Sequence, residues 1–367
     1  MSKQVATNNA LSDLRQWMAG RRLGTVYVTN PTSIGYLTGF FANPHERLMA
    51  LAVRPGDATL IVPALEHEKA TRIARDVSVL GWRDGEDPYE LVARAVGPAS
   101  EIAVEKEHIT LFVAETVTAR TGASEVVDAG GQIRRMRLLK RPDEIEKMQR
   151  AAQITDRAGD SVFEEMRPGD SESQAALMIG ATVGELGGTL AFPSLVQSGP
   201  NSSMPHLQPS NRKLAEGDFV LLDFGAALEG YNADTTRMGV IGKPTARHRE
   251  IHDVVLRAHD AAIDAVRAGV TTGDIDSAAR RVIEAAGYGP QFFHRVGHGL
   301  GLEVHEDPSL DPGSTTVLEA GMVFTIEPGV YVPEFGGVRI EDDVVVEERG
   351  CRVLTQSDRA LREIKDN

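Results

Sequence analysis

A single cysteine, Cys351, stands among 367 residues, which excludes an internal disulfide and fits a reducing cytoplasm. No apolar run approaches the roughly 18–20 residues that a membrane helix needs. The opening MSKQVATNNALSDL lacks a basic segment followed by an apolar one, so neither a membrane partner nor a secretory signal is expected. Positive charge is also short, 39 Lys and Arg against 53 Asp and Glu, for a formal net charge of −14. That balance argues against binding to a phosphate backbone and removes nucleic acid from the expected partners. Acidity alone speaks to solubility and not to activity. No low-complexity tract is present, and the N-terminal third has no phosphate-binding glycine loop, so nothing there points to a nucleotide.

What is present is ordinary globular composition, 41% hydrophobic and 25% charged, in a chain long enough for two cores. From about residue 9 to residue 130, helix-like and strand-like segments alternate. ALSDLRQWMAG is an amphipathic helix closed by Gly20, TVYVTN a strand, and LMALAV and ATLIVP a strand pair around Arg54-Pro55-Gly56-Asp57. ALEHEKATRIARD and PYELVARAVG read as helices, EIAVEKE as a strand, TLFVAETVTART as a helix, and EVVDAG closes the set. This alternation predicts a three-layer α/β domain with a mixed sheet. Residues 134–141, RRMRLLKR, are basic and read as exposed. Pro142 then occupies a first helical position with Asp143, Glu144 and Glu146 behind it, a strong helix start. The boundary is placed near residue 138, with an α/β domain over 1–137 and an α+β domain over 138–367.

The second domain repeats itself. Met166-Arg167-Pro168-Gly169 joins one long helix to ESQAALMIGATVGELG, and Val266-Arg267-Ala268-Gly269 joins HREIHDVVLRAHDAAIDA to IDSAARRVIEAAG. Strands follow each helix pair. Two such units predict a pseudo-twofold domain with its site between the halves.

Each half carries acids where apolar strands should be. Residues 219–241 read as a hairpin turning at Leu228-Glu229-Gly230, which sets Asp223 opposite Asp234. Opposed side chains lie roughly 4.5–5.5 Å apart at Cβ, and like charges there destabilise. The pair needs a cation, a retained proton, or a bulge that shifts the register. In the second half the turn PEFGG, centred on Glu334, places Glu327 opposite Glu341 in the same way. With His298 in a glycine-flanked loop, two such pairs are the usual mark of a metal site. Four carboxylates and one imidazole do not suit a structural zinc tetrahedron. They suit two divalent ions, with manganese favoured by the oxygen-rich set and cobalt, zinc or iron as substitutes. Two ions about 3.5–4 Å apart can acidify a shared water and polarise a carbonyl, which is hydrolytic chemistry.

These motifs run Asp223-Phe224-Gly225, Asp234-Thr235-Thr236-Arg237, Gly297-His298-Gly299 through His305-Glu306, Glu327-Pro328-Gly329, and Arg339-Ile340-Glu341-Asp342. In that order they resemble the pita-bread metallopeptidases, best in the prolidase and aminopeptidase P branch. The likeness is close over about 138–367. The N-terminal domain is similar to that branch's smaller domain, most visibly at Tyr36-Leu37-Thr38-Gly39-Phe40. The resemblance implies that Asp223 binds one metal, that His298 and Glu327 bind the other, and that Asp234 and Glu341 bridge. It makes Glu327 the general base, aims His305 at the substrate oxygen, and places His206 and His294 in the substrate pocket, His294 with a catalytic part. Arg339 shares a strand face with Glu341 and can orient it or make an ordinary ion pair, and Thr236 stands similarly to Asp234. A homodimer is the default assembly.

The expected activity is hydrolysis of the Xaa-Pro bond of dipeptides, a tertiary amide without the N–H that most peptidases require. The alternative is an aminopeptidase P acting on longer Xaa-Pro-Xaa peptides. A dipeptidase needs a cation for the proline carboxylate, and Arg47, just after the YLTGF segment, is a candidate clamp or an arginine paired with a nearby acid. Methionine aminopeptidases typically lack so large a preceding domain, and creatinase-like members lack the full ligand set. A lyase acting on a small sulfonium acid, or a non-catalytic binding protein, could use the same fold.

Overall fold

The computed structural model describes residues 10–366. The chain divides into two compact units between Arg137 and Leu138. In the first, six strands form one mixed sheet with Val26–Val28 at its centre, antiparallel to Ala50–Val53 and parallel to Glu101–Val104. Ala58–Pro63 and Ser78–Trp82 extend one side and Glu125–Asp128 the other. All three residues of the central strand are buried, so both faces of the sheet are covered. Tyr27, Ala52 and Ile61 pack with Val92, Val96 and Val117 of the helices Pro88–Val96 and Leu111–Thr121.

The helix Pro31–Thr38 and the strand Ser78–Trp82 are two elements beyond those expected from the sequence. The helix is set by Asn30, whose side chain caps Thr32 N, and by Pro31 at its first position. The reading of 134–141 as an exposed basic run is corrected. Its first half is the end of the helix Gly130–Leu138, and Arg137 and Lys140 are both buried. Leu138 and Leu139, at the start of the second unit, pack on its main core.

In that second unit the repeat is plain. Pro142–Glu165 and Glu172–Glu185 form the first helix pair, Ala246–Ala265 and Thr272–Ala285 the second. Gly169 and Gly269 both adopt positive φ, 88° and 89°, in the linking turns. Their N–H groups donate to Leu214 O and Leu318 O, and Ser171 and Thr271 cap the second helix of each pair. One sheet holds Leu195–Ser198, Phe219–Phe224, Thr235–Ile241 and Arg362–Ile364. The other holds His298–Gly299, Glu306–Ser309, Val323–Ile326, Asp342–Val346 and Cys351–Val353. Strand alternation serves both cores: Phe219 and Leu221 join the cluster with Ile251, Ile275 and Phe324, while Val220, Leu222 and Phe224 join that with Val162, Ile179 and Val183.

The first hairpin departs from the expected register. Its turn has two residues, Glu229 and Gly230, both at positive φ (52° and 86°) as in type I′ turns, and Leu228 pairs with Tyr231. Asp223 therefore faces Thr236, not Asp234. The slip is two residues, an even number, so Asp234 keeps the side of the sheet on which Asp223 lies. The second hairpin has the expected register, pairing Gly329 with Arg339 and Val332 with Gly336, so Glu327 and Glu341 stand level just beyond its open end.

Candidate metal centre and substrate pocket

A cavity of about 930 Å³ opens in the second unit. Nine side chains singled out in the sequence line it: His206, Asp223, Asp234, His294, His298, His305, Glu327, Arg339 and Glu341. Arg47, also singled out, lies in the first unit, where its guanidinium pairs with Asp84 at 2.9 Å and with Glu46 at 2.8 Å.

Strand ends aim the acids. Asp223 is the penultimate residue of its strand, and Glu327 follows directly on Val323–Ile326. Beside each lies a glycine that lets backbones meet: a Cβ on Gly225 would fall 1.8 Å from Ala233 O, and one on Gly297 would fall 1.9 Å from Thr325 O. Thr325 Oγ1 accepts from His298 N at 3.1 Å and donates to Glu327 Oε1 at 3.2 Å, tying imidazole and carboxylate positions together. His298 Nε2 stands 3.3 Å from Glu327 Oε1 and 3.9 Å from Asp234 Oδ2. Ligand atoms of Asp234, His298 and Glu341 all lie within 4.8 Å of one another.

Arg339 braces the other side. Its Nη2 donates to Asp223 Oδ2, its Nε to Thr236 Oγ1 at 3.0 Å, and its Nη1 to the Tyr331 hydroxyl at 3.0 Å. Thr236 in turn donates to Glu341 Oε2 at 2.6 Å. Behind the acids, Asp343 accepts the Asp234 N–H, and fully buried Arg237 bonds Glu341 O and Asp342.

The electrostatics call for cations. Burial and then mutual repulsion raise the Asp234 and Glu341 carboxyls well above the ordinary range, and burial pushes Glu327 up to about 7. Burial raises Asp223 too, though Arg339 opposes it. Burial, with His305 alongside, lowers His298 to about 3, so its ring is neutral. Its Nδ1 faces Gly299 O at 3.2 Å and must carry the ring proton, which leaves a lone pair on Nε2 directed at carboxylate oxygens. Asp234 Oδ1 is buried without a hydrogen-bond partner. An imidazole lone pair, an orphaned carboxylate oxygen and three further acids are a donor set that fits divalent metal ions.

Three contributions were not anticipated from sequence. Tyr331 links Arg339 to His294, whose Nε2 lies 3.0 Å from the hydroxyl. Gln197, fully buried, donates its amide to Met204 O, Pro205 O and Leu207 O and so holds the segment bearing His206. Arg295 lines the cavity and donates to Ser309 Oγ at 2.7 Å, but makes no ion pair among the described residues. Tyr331 was legible in principle, since it lies on the Arg339 face of the second hairpin. An arginine in a polar loop carries no comparable signal.

Comparison with known proteins identifies the family and the fold. Residues 146–348 match the model of metallopeptidase family M24, and residues 11–139 that of the creatinase/prolidase N-terminal domain. An Xaa-Pro dipeptidase of Lactobacillus helveticus is 38% identical over 96% of this chain and 98% of its own length. The prolidase of Pyrococcus horikoshii OT3 superposes with a TM-score of 0.90 at 32% identity, covering 96% of this chain and 99% of that one. An X-Pro aminopeptidase of Thermotoga maritima MSB8 reaches the same TM-score, 0.90, at 30% identity over 96% and 99%. The chain belongs to metallopeptidase family M24, in the prolidase and aminopeptidase P branch whose members carry a creatinase/prolidase N-terminal domain.

Proposed function

We propose that this chain is a cytoplasmic, homodimeric Xaa-Pro dipeptidase that works with two divalent ions, manganese foremost. The proposed ligands are Asp223, Asp234, His298, Glu327 and Glu341, whose clustering in an apolar setting supports the assignment. Bound ions would supply an acidified water and a Lewis acid for the scissile carbonyl. Glu327 takes a proton from the attacking water and passes it to the proline nitrogen as the C–N bond breaks. His305, which burial holds below the ordinary histidine value, is neutral near pH 7 and can donate an N–H to the carbonyl oxygen as charge gathers there. Arg339 keeps Asp223 and, through Thr236, Glu341 in place. His206 and His294 flank the substrate, and the acidic floor receives its free amine.

Arg295 is the observation that carries the dipeptide reading: a guanidinium in the cavity wall with no acid of its own supports capture of a proline carboxylate. Arg47 is the second cation proposed for that task, although its donors already serve Asp84 and Glu46. The longer-peptide reading draws support from the cavity itself, whose 930 Å³ stands at the upper end of the roughly 300–1,000 Å³ of small-ligand sites. Manganese-loaded enzyme assayed on Ala-Pro, Gly-Pro and Ala-Pro-Ala separates the two. Faster turnover of the dipeptides is expected, and preference for the tripeptide would establish the aminopeptidase. Arg295→Ala is expected to lower kcat/KM for Ala-Pro by about 10- to 100-fold more than for Ala-Pro-Ala, the worth of a charged hydrogen bond. Arg47→Ala, run alongside, shows whether the loss belongs to that residue instead.

A further inference from the structure

His305 makes no hydrogen bond or ion pair among the described residues, and its exposed side chain meets the ring of His298 at 4.0 Å between centroids. Apart from that ring contact, the segment that carries it fixes its direction. That segment, 300–305, is irregular, and a side-chain anchor stands next to His305, at the first residue of the strand Glu306–Ser309. Glu306 Oε1 takes the Lys140 ammonium at 2.6 Å, with the two side chains only 8% and 2% exposed. The pair rests on bare backbone: a Cβ on Gly301 would fall 2.5 Å from Glu306 Oε1 and 3.0 Å from Lys140 Cε. Gly301 O is held from the other side by Asn232, through its N–H at 2.9 Å and its amide at 3.0 Å. Lys140 is itself fixed, its N–H donating to Gly321 O at 2.9 Å.

We propose that Lys140 is a positioning residue that aims His305 through Glu306. Burying an ion pair is a poor route to stability, because desolvation offsets most of the attraction, but a buried pair admits few geometries. Here the two partners are 166 residues apart in the chain, so the contact pins an otherwise irregular loop to one place. A displacement of about 1 Å in a group that must meet the reacting oxygen can lower turnover on the order of 100-fold.

The inference rests on the peptidase reading, and a double-mutant cycle tests it in manganese-loaded enzyme with Ala-Pro. Lys140→Met is expected to lower kcat about 10- to 100-fold with KM changed less than threefold. In a His305→Ala background it should lower kcat no further. Full additivity, or an unchanged kcat in the single variant, overturns the proposal. Should Lys140→Met fail to fold, Lys140→Met combined with Glu306→Leu replaces the pair by apolar side chains, an exchange that proteins often tolerate. Wild-type kcat in that variant also overturns it. A second readout needs no turnover: the ring signal of His305 in a histidine-labelled NMR spectrum, assigned by its loss in His305→Ala, is expected to move in Lys140→Met. An unmoved signal refutes the anchor. If the unaltered enzyme cleaves no Xaa-Pro peptide, the peptidase reading fails and this signal alone decides.

Discussion

His294 shows how far a single pocket residue can be fixed by its neighbours. Its Nδ1 lies 2.7 Å from Arg295 O and must carry the proton, so Nε2 accepts from the Tyr331 hydroxyl, which in turn accepts from Arg339. A hydrogen bond between substrate and His294 Nε2 therefore requires the Tyr331 bond to open. Burial lowers its pKa to about 4, below the 6.5 of an unfolded histidine. The unfolded chain thus binds this proton first as pH falls. The contribution of neutral His294 is complete above about pH 6.5 and is lost progressively toward pH 4. The difference in urea midpoint between wild type and His294→Gln, measured on metal-free protein, is expected to shrink across that window. A difference that holds constant from pH 7 to 4.5 would refute the buried neutral state. The same scale explains what could be read in advance. Asp223, Asp234, Glu327 and Glu341 betray themselves because acids do not belong among Val, Leu and Phe, whereas Arg295 and Gln197 lie where their types are unremarkable and act only through tertiary placement.

Elements rather than residues decide whether the acids meet. The second hairpin was legible to the residue, since PEFGG fixes a symmetric turn and the ladder follows from it. The first was misjudged by two positions because Glu229-Gly230 closes as a two-residue turn. Facing survived that error, since only an odd slip moves a side chain to the other side of a sheet. Residues 134–141 differ from expectation for another reason: the charge of the run predicts exposure, whereas Leu138 and Leu139 pack on a core and Arg137 and Lys140 are buried. Both hairpins present acids at their open ends, and among the described residues the one arginine ion-paired to them is Arg339, so their ladders should tighten when metal neutralises them. Adding manganese to chelator-treated protein is expected to slow amide exchange over 219–241 and 323–346 and to leave 50–63 unchanged. Equal exchange with and without metal in the hairpins would count against the ligand set.

At the scale of the molecule, the pseudo-twofold matters because neither half holds the whole of the proposed ligand set. The first half supplies Asp223 and Asp234, the second His298, Glu327 and Glu341, and the isolated bridge between Thr236 and Glu341 is where they join. Bound ions would thus add to the hydrogen bonds and ion pairs that already cross between the halves, such as Thr236 to Glu341 and Arg237 to Asp342, in a chain that carries a net charge of −14. A ligand that binds only the folded form stabilises it by about 2.7 kcal/mol at 100 times its dissociation constant. The melting temperature of metal-free protein should therefore climb with manganese concentration and keep climbing, logarithmically, after the site is filled. Asp234→Asn lies at the junction of the halves and removes one charge from the cluster without changing its shape, so it should flatten that dependence. The variant need not be less stable than wild type when metal is absent, because the buried repulsion that raises the Asp234 and Glu341 carboxyls is relieved at the same time. A variant that melts at or above wild type in chelator yet gains little from manganese would identify the cluster as held together by the ions it binds. One that tracks wild type at every manganese concentration would remove Asp234 from the site.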